Sequence, residues 1–326
     1  MKHLRTIVSV WCVLLLFCGT LRSEPAELVV GGEDDYCMQP QWSPDGEWLA
    51  FTSMQYQGIQ VVRPNGSERS ILTQDAGAGF RFNWHPYRHQ IVARANTGQT
   101  GPYRHAIRVY GLNPSDYREI SAQEPGALCL PQWVDNGNRV AYLHRDRLVT
   151  QTVAFTSSPA DSDQPAVGTA DKPNRSLAQV VADHHNRIGL MDLTSLDVKP
   201  IDPLPGKECL NAVTSPDGEW LAFEELGGHL YVRHISSGTL HDCGWGNRPA
   251  WSPDSRYLVF MKAQDDGHQY LSSDLYLMRL SDRSITPLTE TPDRMEMNPA
   301  WSPKGDEIAF NTYDKGMIYR LKVSLP

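Results

Sequence analysis

Short apolar segments and turn-forming residues alternate along the whole chain in a pattern that returns every 37 to 50 residues. The strongest copies read QWSPDGEWLAF from Gln41, VTSPDGEWLAF from Val213, AWSPDSRYLVF from Ala250 and AWSPKGDEIAF from Ala300, with weaker copies from Asn83 and Gln132. In each strong copy a turn containing Pro precedes a run in which both alternating sets of positions carry apolar side chains. Such a run is typical of a β-strand that is covered on both faces.

A complete unit of the repeat contains four predicted strands. In the first unit these are the segment leading into Trp42, residues 47–53, residues 58–62 and residues 69–73. The unit after Trp251 has the same order, as RYLVFMK, DLYLMRL and SITPLT. Four short antiparallel strands in a unit of roughly 40–45 residues are typical of a propeller blade. The pattern therefore predicts an all-β fold, and specifically a β-propeller.

The number of blades follows from one register position per unit, which is Trp42, Trp84, Trp133, Thr214, Trp251 or Trp301. The interval of 81 residues between Trp133 and Thr214 is about twice the others, and a degenerate copy with its register position at Ala170 divides it into 37 and 44. We therefore predict seven four-stranded blades, with six blades and a long insertion as the alternative. The polar residues 156–174 are predicted to be a loop or an insertion in the degenerate blade.

The two ends of the propeller region are predicted to pair with each other. The last unit has room for three strands, and the apolar segment ELVV at residues 27–30 belongs to no unit. Pairing of this segment with the last unit would complete the blade and leave no open sheet edge. We therefore expect residues 24–326 to form one propeller domain that is closed by its N- and C-terminal strands.

The first 23 residues have the features of an export signal. Lys2 and Arg5 precede an apolar run at residues 7–17, and small or neutral residues follow up to Ser23. The run is too short to span a bilayer, and no later segment approaches the roughly 20 apolar residues that a spanning helix needs. A lipoprotein signal at Cys18 is disfavoured because the bulky Phe17 stands where a small residue is needed. The sequence predicts an exported protein, periplasmic or extracellular, without a transmembrane segment.

Composition excludes two classes of partner, but it does not decide whether the cysteines form disulfides. Removal of residues 1–23 takes away three basic and no acidic side chains, which leaves 27 basic and 38 acidic ones and a net charge of −11. Because nucleic acids and anionic lipids bind clustered basic residues, we expect neither as a partner. The four remaining cysteines are either disulfide-bonded, with unassigned pairing, or free buried thiols: Cys37, Cys129, Cys209 and Cys243.

Two conspicuous features of the repeat are assigned to folding rather than to chemistry. The five tryptophans of the register are predicted to fill the space between adjacent blades. Asp45 and Asp217 are predicted to cap their own turns. A residue that recurs at the same position of each repeat is attributed to the folding of the repeat before any functional role is considered.

Copies that read PxWSPDGxxLAF resemble the TolB-like propeller repeat, which is related to the WD-type repeats. The resemblance covers residues 27–326 and implies a propeller whose innermost strands run into the Pro-x-Trp segments. Because the predicted blades use residues 27–326, we expect a propeller alone, without the α/β domain or the hydrolase domain that is joined to such repeats in other proteins. A G-x-S-x-G nucleophile motif is also missing from the sequence.

Candidate ligand-binding residues lie where the innermost strands are predicted to line the central channel. Three residues before the register position, the units carry Gln39, Arg81, Leu130, Asn211, Arg248 and Asn298. Strand alternation would direct this mostly polar set to one face, into the channel. Arg81 and Arg248 are suited to bidentate binding of a carboxylate or phosphate. The alternative is a solvated ring, or one that pairs with Glu208 and Glu296.

The histidines form no recognisable metal motif. A regular strand would direct the members of the pairs His184–His185 and His229–His234 to opposite faces. The sequence contains no H-E-x-x-H pattern and no clear three-ligand cluster. We predict no metal site and no cofactor, and we expect a divalent metal only if the protein is an enzyme.

Two functional hypotheses remain open. Because no catalytic motif stands out and the blades use the whole chain, we favour an exported, non-enzymatic and monomeric binding module. Its partner would be a protein or a small anionic or carbohydrate ligand at the channel. The alternative is a carbohydrate-active enzyme, a lyase or a hydrolase, with its site at the channel mouth.

Overall fold

The computed structural model describes residues 22–23, 25–98, 104–113, 117–121, 124–125, 131–144, 147–153, 179–182, 188–192, 195 and 197–325. These residues form seven antiparallel sheets that follow one another along the chain. The seven predicted blades are therefore confirmed, and the six-bladed alternative is wrong. In these ranges the helical segments are two short 3-10 turns, Met54–Tyr56 and Asp135–Gly137. None of the described helices is long and apolar enough to cross a bilayer.

The first part of the chain contains two terminal strands and three blades. The terminal strands are β1 (Arg22–Ser23) and β2 (Glu27–Gly31). Blade 1 consists of β3 (Cys37–Trp42), β4 (Leu49–Ser53), β5 (Gln57–Val62) and β6 (Ser70–Ala76). Blade 2 consists of β7 (Asn83–Trp84), β8 (Gln90–Asn96), β9 (Arg104–Gly111), β10 (Tyr117–Glu119) and β11 (Glu124–Pro125). Blade 3 consists of β12 (Gln132–Val134), β13 (Arg139–His144) and β14 (Arg147–Thr152).

The second part contains the degenerate blade and three regular ones. Blade 4 consists of β15 (Gln179–Ala182), β16 (Ile188–Met191) and β17 (Val198–Ile201). Blade 5 consists of β18 (Cys209–Thr214), β19 (Trp220–Glu225), β20 (His229–His234) and β21 (Leu240–Trp245). Blade 6 consists of β22 (Asn247–Trp251), β23 (Tyr257–Asp265), β24 (Tyr270–Arg279) and β25 (Ile285–Pro287). Blade 7 consists of β26 (Glu296–Trp301), β27 (Glu307–Thr312) and β28 (Met317–Ser324). The predicted register position Ala170 and the polar run 156–174 lie outside the described residues.

Blade 7 takes its outer strand from the beginning of the chain. Strand β2 pairs antiparallel with β28, with Leu28 opposite Tyr319 and Gly31 opposite Met317. The predicted pairing of residues 27–30 with the last unit is therefore confirmed. Strand β1, which the sequence placed at the end of the export signal, also pairs with β28. Residues 1–21 lie outside the described residues, so export stays a prediction.

The hydrophobic core lies between consecutive blades rather than inside any one of them. Leu49 and Phe51 of blade 1 pack against Ala309 and Ile318 of blade 7, and all four side chains are fully buried. Similar clusters join blade 1 to 2, 2 to 3, 4 to 5, 5 to 6 and 6 to 7. Because neighbouring sheets cover both faces, consecutive residues of a central strand are buried and apolar, as Leu49, Ala50 and Phe51 are in β4.

The register tryptophans link neighbouring blades, as the repeat predicts. In each case the indole N–H donates to the backbone carbonyl that stands just before the register position of the preceding blade. These bonds run from Trp42 to Ala300 (3.2 Å), Trp84 to Gln41 (3.2 Å), Trp133 to Asn83 (3.1 Å), Trp251 to Val213 (3.2 Å) and Trp301 to Ala250 (3.1 Å). The bond from Trp42 joins the first blade to the last.

The Ser-Pro-Asp turns are stabilised by their own side chains. The carboxylate of Asp45 accepts the Ser43 hydroxyl at 2.6 Å and the Glu47 N–H at 3.0 Å. Asp217 accepts the equivalent backbone N–H of its turn at 3.0 Å. Burial alone would raise the pKa of Asp45, but hydrogen bonds from His89, Ser43 and the Glu47 N–H lower that pKa. The predicted capping role of these turn acids is therefore confirmed.

Three of the four cysteines predicted to remain after signal cleavage are free and buried. These are Cys37, Cys209 and Cys243, whereas Cys129 lies outside the described residues. Burial raises the pKa of Cys37 and Cys243 to about 12 and that of Cys209 to about 11. For these three residues the thiol alternative is the correct one.

Candidate functional site

All five described candidate residues adopt the left-handed backbone conformation. Their φ angles are 55° at Gln39, 56° at Arg81, 52° at Asn211, 55° at Arg248 and 53° at Asn298. Four of them lie at bulges in the innermost strands, where the pairing with the next strand shifts. The simple alternation argued from the sequence is therefore wrong, because a bulge with a left-handed residue re-aims the side chain. This conformation costs roughly 1–2 kcal/mol for a residue other than glycine.

These five residues, named here the ring residues, come from five different blades and line one cavity. The cavity has a volume of about 520 Å³. Trp42 and Trp251, at the ends of innermost strands that enter the turns, also line it. We name it the turn-side cavity. The structure therefore brings together all five candidates that it describes, while Leu130 lies outside the described residues.

A second cavity lies toward the beginning of the innermost strands. It has a volume of about 440 Å³ and is lined by every ring residue except Arg81. Met38 and Asn247, each just before a ring residue, line it together with aromatic side chains of the neighbouring loops. We name it the loop-side cavity. The ring residues thus stand between two cavities at opposite ends of the same strands.

Two arginines of the ring converge on one neutral oxygen. The Nη2 group of Arg81 donates to Asn211 Oδ1, and the Nη1 group of Arg248 donates to the same oxygen at 3.2 Å. The three residues belong to blades 2, 5 and 6. Burial lowers the pKa of Arg81, and repulsion from Arg248 adds to this lowering. The pair therefore presents two cations to an acceptor that carries no charge.

The carboxylate next to this arginine pair is Glu224, which the sequence did not indicate. Glu224 is buried and accepts the Asn211 side-chain amide (2.9 Å), the Asn247 side-chain amide (2.9 Å) and the Arg248 backbone N–H (2.6 Å). The expected partner Glu296 accepts hydrogen bonds from Thr289 and Thr291 instead. Pairing of the ring arginines with Glu296 is therefore wrong.

Asn311 has the same role at the junction of blades 7 and 1. Its Oδ1 accepts the Gln39 backbone N–H at 3.0 Å and the Asn298 side-chain amide at 3.0 Å. Glu224 and Asn311 both directly follow an aromatic residue, in the runs LAFEE and IAFNT. A polar residue at that position of the repeat is the signal that would have located this second layer of the site.

Two ring side chains keep hydrogen-bonding capacity for a ligand. Among the described residues, neither the amide of Gln39 nor the Oδ1 atom of Asn298 has a hydrogen-bond partner. Both residues line both cavities. An incoming hydroxyl or carbonyl group therefore meets unused donors and acceptors at the ring.

Three of the described histidines contact neighbouring side chains. Burial lowers the pKa of His85 to about 4, and its ring packs against Trp133. His89 contacts Asp45, and His229 lies 3.0 Å from the carboxylate of Asp242. Within the described part of the chain, no three His, Cys, Asp or Glu side chains gather as metal ligands do. His184 and His185 lie outside that part.

The chain has limited sequence and structural similarity to known proteins. No family model matches the chain. A probable dipeptidyl-peptidase 5 from Aspergillus niger is 25% identical over 141 residues, which are 36% of this chain and 19% of that protein. The crystal structure of TolB from Acinetobacter baumannii superposes with a TM-score of 0.46 and 14% identity, over 90% of this chain and 65% of that one. The chain thus spans less than two thirds of either protein, and the propeller assignment rests on its own seven sheets.

Proposed function

We propose that the protein is an exported, non-catalytic binding module that holds an anionic group of its ligand between Arg81 and Arg248. The observation that carries this proposal is the convergence of both guanidinium groups on Asn211 Oδ1. A carboxylate or phosphate oxygen at this point would accept charge-assisted hydrogen bonds from both arginines. The planar guanidinium group suits such bidentate binding.

The electrostatics of the ring favour an incoming anion. Two guanidinium groups that share one oxygen stand roughly 5 Å apart, and they repel by about 3 kcal/mol at an effective dielectric constant of about 20. Glu224 attracts both arginines but leaves the three groups with a net positive charge. A bound anion would remove this excess and replace the neutral Asn211 oxygen as the acceptor.

The described residues that line the turn-side cavity include no group suited to acid–base catalysis. Of the described residues that line it, Arg81 and Arg248 are the ionisable ones. Arginine stays protonated at neutral pH, whereas general acid–base catalysis needs a group that exchanges a proton there. This composition favours a binding site over a catalytic one.

Calorimetric titration of the purified protein with citrate and with inorganic phosphate tests the proposal. The variants Arg81→Gln and Arg248→Gln each remove one cation, and Gln39 shows that glutamine is accepted in the same backbone conformation. Losing one charged hydrogen bond, worth about 1.5–3 kcal/mol, should weaken binding roughly 10- to 150-fold. Arg256→Gln is the matched control, because Arg256 is 69% exposed and pairs with Asp254 in a turn.

The titrations and an activity assay distinguish the proposed anion site from the absence of such a site and from an enzymatic function. Binding that both ring variants weaken, and that the control leaves unchanged, supports the proposal. Equal binding by all four proteins, or binding of neither anion by the unmodified protein, would overturn it. Chemical conversion of an acidic oligosaccharide, measured with and without divalent metal, would place the protein among the enzymes instead.

A further inference from the structure

The loop-side cavity is surrounded by aromatic side chains that have no role in the proposed binding of an anion by Arg81 and Arg248. Five of them line it: Tyr36, Tyr56, Trp245, Tyr270 and Tyr313. Tyr36, Tyr56 and Tyr313 lie in segments between strands of blades 1 and 7. Trp245 is the last residue of β21 in blade 5, and Tyr270 is the first residue of β24 in blade 6. The tryptophan is 63% exposed and the last tyrosine 42% exposed. Trp245 and Tyr313 therefore stand at an open mouth, whereas Tyr36, Tyr56 and Tyr270 are half-buried in its wall.

Neighbouring groups hold several of these rings in place. Trp245 makes an edge-to-face contact with His229 at 5.3 Å between ring centroids, and His229 lies 3.0 Å from the Asp242 carboxylate. Tyr270 and Tyr313 form another edge-to-face pair at 5.1 Å. Rings that neighbours hold in this way lose little freedom when a ligand packs on them.

Below the aromatic mouth the cavity becomes polar. Gln39 and Asn298 present side-chain groups without a partner among the described residues, and Arg248 supplies a cation. The volume of about 440 Å³ lies within the range of roughly 300–1,000 Å³ that small-molecule sites occupy. The cavity thus combines aromatic surfaces, amide groups and the Arg248 cation. Two carboxylates also line it: Glu224, which already accepts three hydrogen bonds from Asn211, Asn247 and the Arg248 N–H, and the exposed Asp265.

This combination matches the chemistry of an acidic sugar. A sugar ring has an apolar face of C–H groups that packs on an aromatic ring, and hydroxyl groups at its edge that bond to amides. A carboxylate on the sugar supplies the anion that an arginine binds. An extended peptide would instead need partners for a row of backbone N–H and C=O groups. The Gln39 side-chain amide and Asn298 Oδ1 can bond to the hydroxyl groups at the edge of one sugar, but they are too few to pair with an extended peptide backbone.

We propose that the loop-side cavity binds an acidic oligosaccharide, with one carboxylate on Arg248 and sugar faces on Trp245 and the tyrosines. This inference rests on the proposed function, because Arg248 of the proposed anion site also lines the loop-side cavity. It adds the ligand class and the side of the propeller from which the ligand enters. The open mouth leaves room for further sugar units outside the cavity.

Calorimetric titration with trigalacturonate, its neutral analogue galactotriose and acetate tests this inference on the full protein. We expect trigalacturonate to bind at least about tenfold more tightly than either comparison ligand. Trp245→Ala should weaken trigalacturonate binding about tenfold and leave phosphate binding unchanged, whereas Arg248→Gln should weaken both. Tyr117→Ala, an exposed aromatic on the outer strand of blade 2, is the matched control.

Failure of the inference is distinguishable from failure of the proposed function. If phosphate binding depends on the arginines but trigalacturonate binds no more tightly than acetate, the proposal of an oligosaccharide ligand is refuted and the proposed anion site is retained. An unchanged affinity of the Trp245→Ala variant for trigalacturonate would also overturn it. Tighter binding of a triglutamate peptide than of trigalacturonate would identify an acidic protein segment as the ligand instead. Loss of binding to every anion would refute both proposals.

Discussion

The contact between the first and last blades can be weakened by a single substitution, Trp42→Phe. The indole N–H of Trp42 donates to the Ala300 carbonyl at 3.2 Å, and the side chain is only 9% exposed. Phenylalanine keeps most of the aromatic packing but has no donor. The substitution therefore removes the hydrogen bond and leaves a carbonyl in the interface with one partner fewer.

The size of the effect follows from these two losses. A neutral hydrogen bond contributes about 0.5–1.5 kcal/mol, and a buried acceptor that loses its partner costs about 1–3 kcal/mol. Because β26 pairs with β27 through neighbouring backbone groups, we take the lower part of that range. The expected decrease in the free energy of unfolding is about 2 kcal/mol. For a domain of about 300 residues, whose unfolding entropy is roughly 2.1 cal/mol/K per residue, that corresponds to a decrease in Tm of about 3 °C.

Far-UV circular dichroism during urea and thermal unfolding measures this decrease without relying on tryptophan fluorescence. The matched control is Trp48→Phe in the same blade. Trp48 is half-buried beneath Arg63, and its indole N–H has no hydrogen-bond partner among the described residues. We expect the control to lose less than about 1 kcal/mol. Equal destabilisation of the two variants would refute the idea that the indole hydrogen bond, rather than ring volume, links the blades.

Two further predictions concern buried titratable groups. Burial raises the pKa of Glu296, so its folded form binds a proton more tightly than its unfolded form, and stability should fall as pH rises from about 4.5 through the folded pKa. Glu296→Gln should remove that part of the slope in urea unfolding measured from pH 4 to 8, and a slope identical to that of the unmodified protein would contradict the prediction. Cys37 and Cys243, whose pKa values burial raises to about 12, should not react with iodoacetamide in the folded protein at pH 8. Peptide mass spectrometry checks this, with urea-unfolded protein as the positive control, and alkylation at the unfolded rate would refute it.

The location of the candidate site could be predicted from the repeat, but its geometry could not. Counting three residues back from each register position found Gln39, Arg81, Asn211, Arg248 and Asn298, because a repeat places equivalent residues in equivalent places. The reason offered was wrong, since regular alternation does not describe a left-handed bulge. Bulges leave little trace in a single sequence when the residue concerned is arginine or glutamine rather than glycine.

Glu224 and Asn311 show a different limit. Each bonds to the ring residue of its own blade and to the backbone N–H of the ring residue in the following blade. The second of these contacts crosses a blade boundary, and for Asn311 it joins residues 272 positions apart. The repeat marks these two positions as polar, but it does not show which residue of the next blade each one bonds, because the blades meet only in the folded chain.

By itself, the sequence predicted the β-strands and the pairing of the two terminal strands, and it favoured seven blades over six. These features follow from local alternation, turn chemistry and repetition, and each unit carries its own copy of that information. Only the tertiary structure decided that Arg81 of blade 2 and Arg248 of blade 6 meet at Asn211 of blade 5. The physical reason is that this meeting depends on the arrangement of all the blades around one axis, together with the backbone bulges that turn the side chains inward. Neither condition is encoded in any single unit.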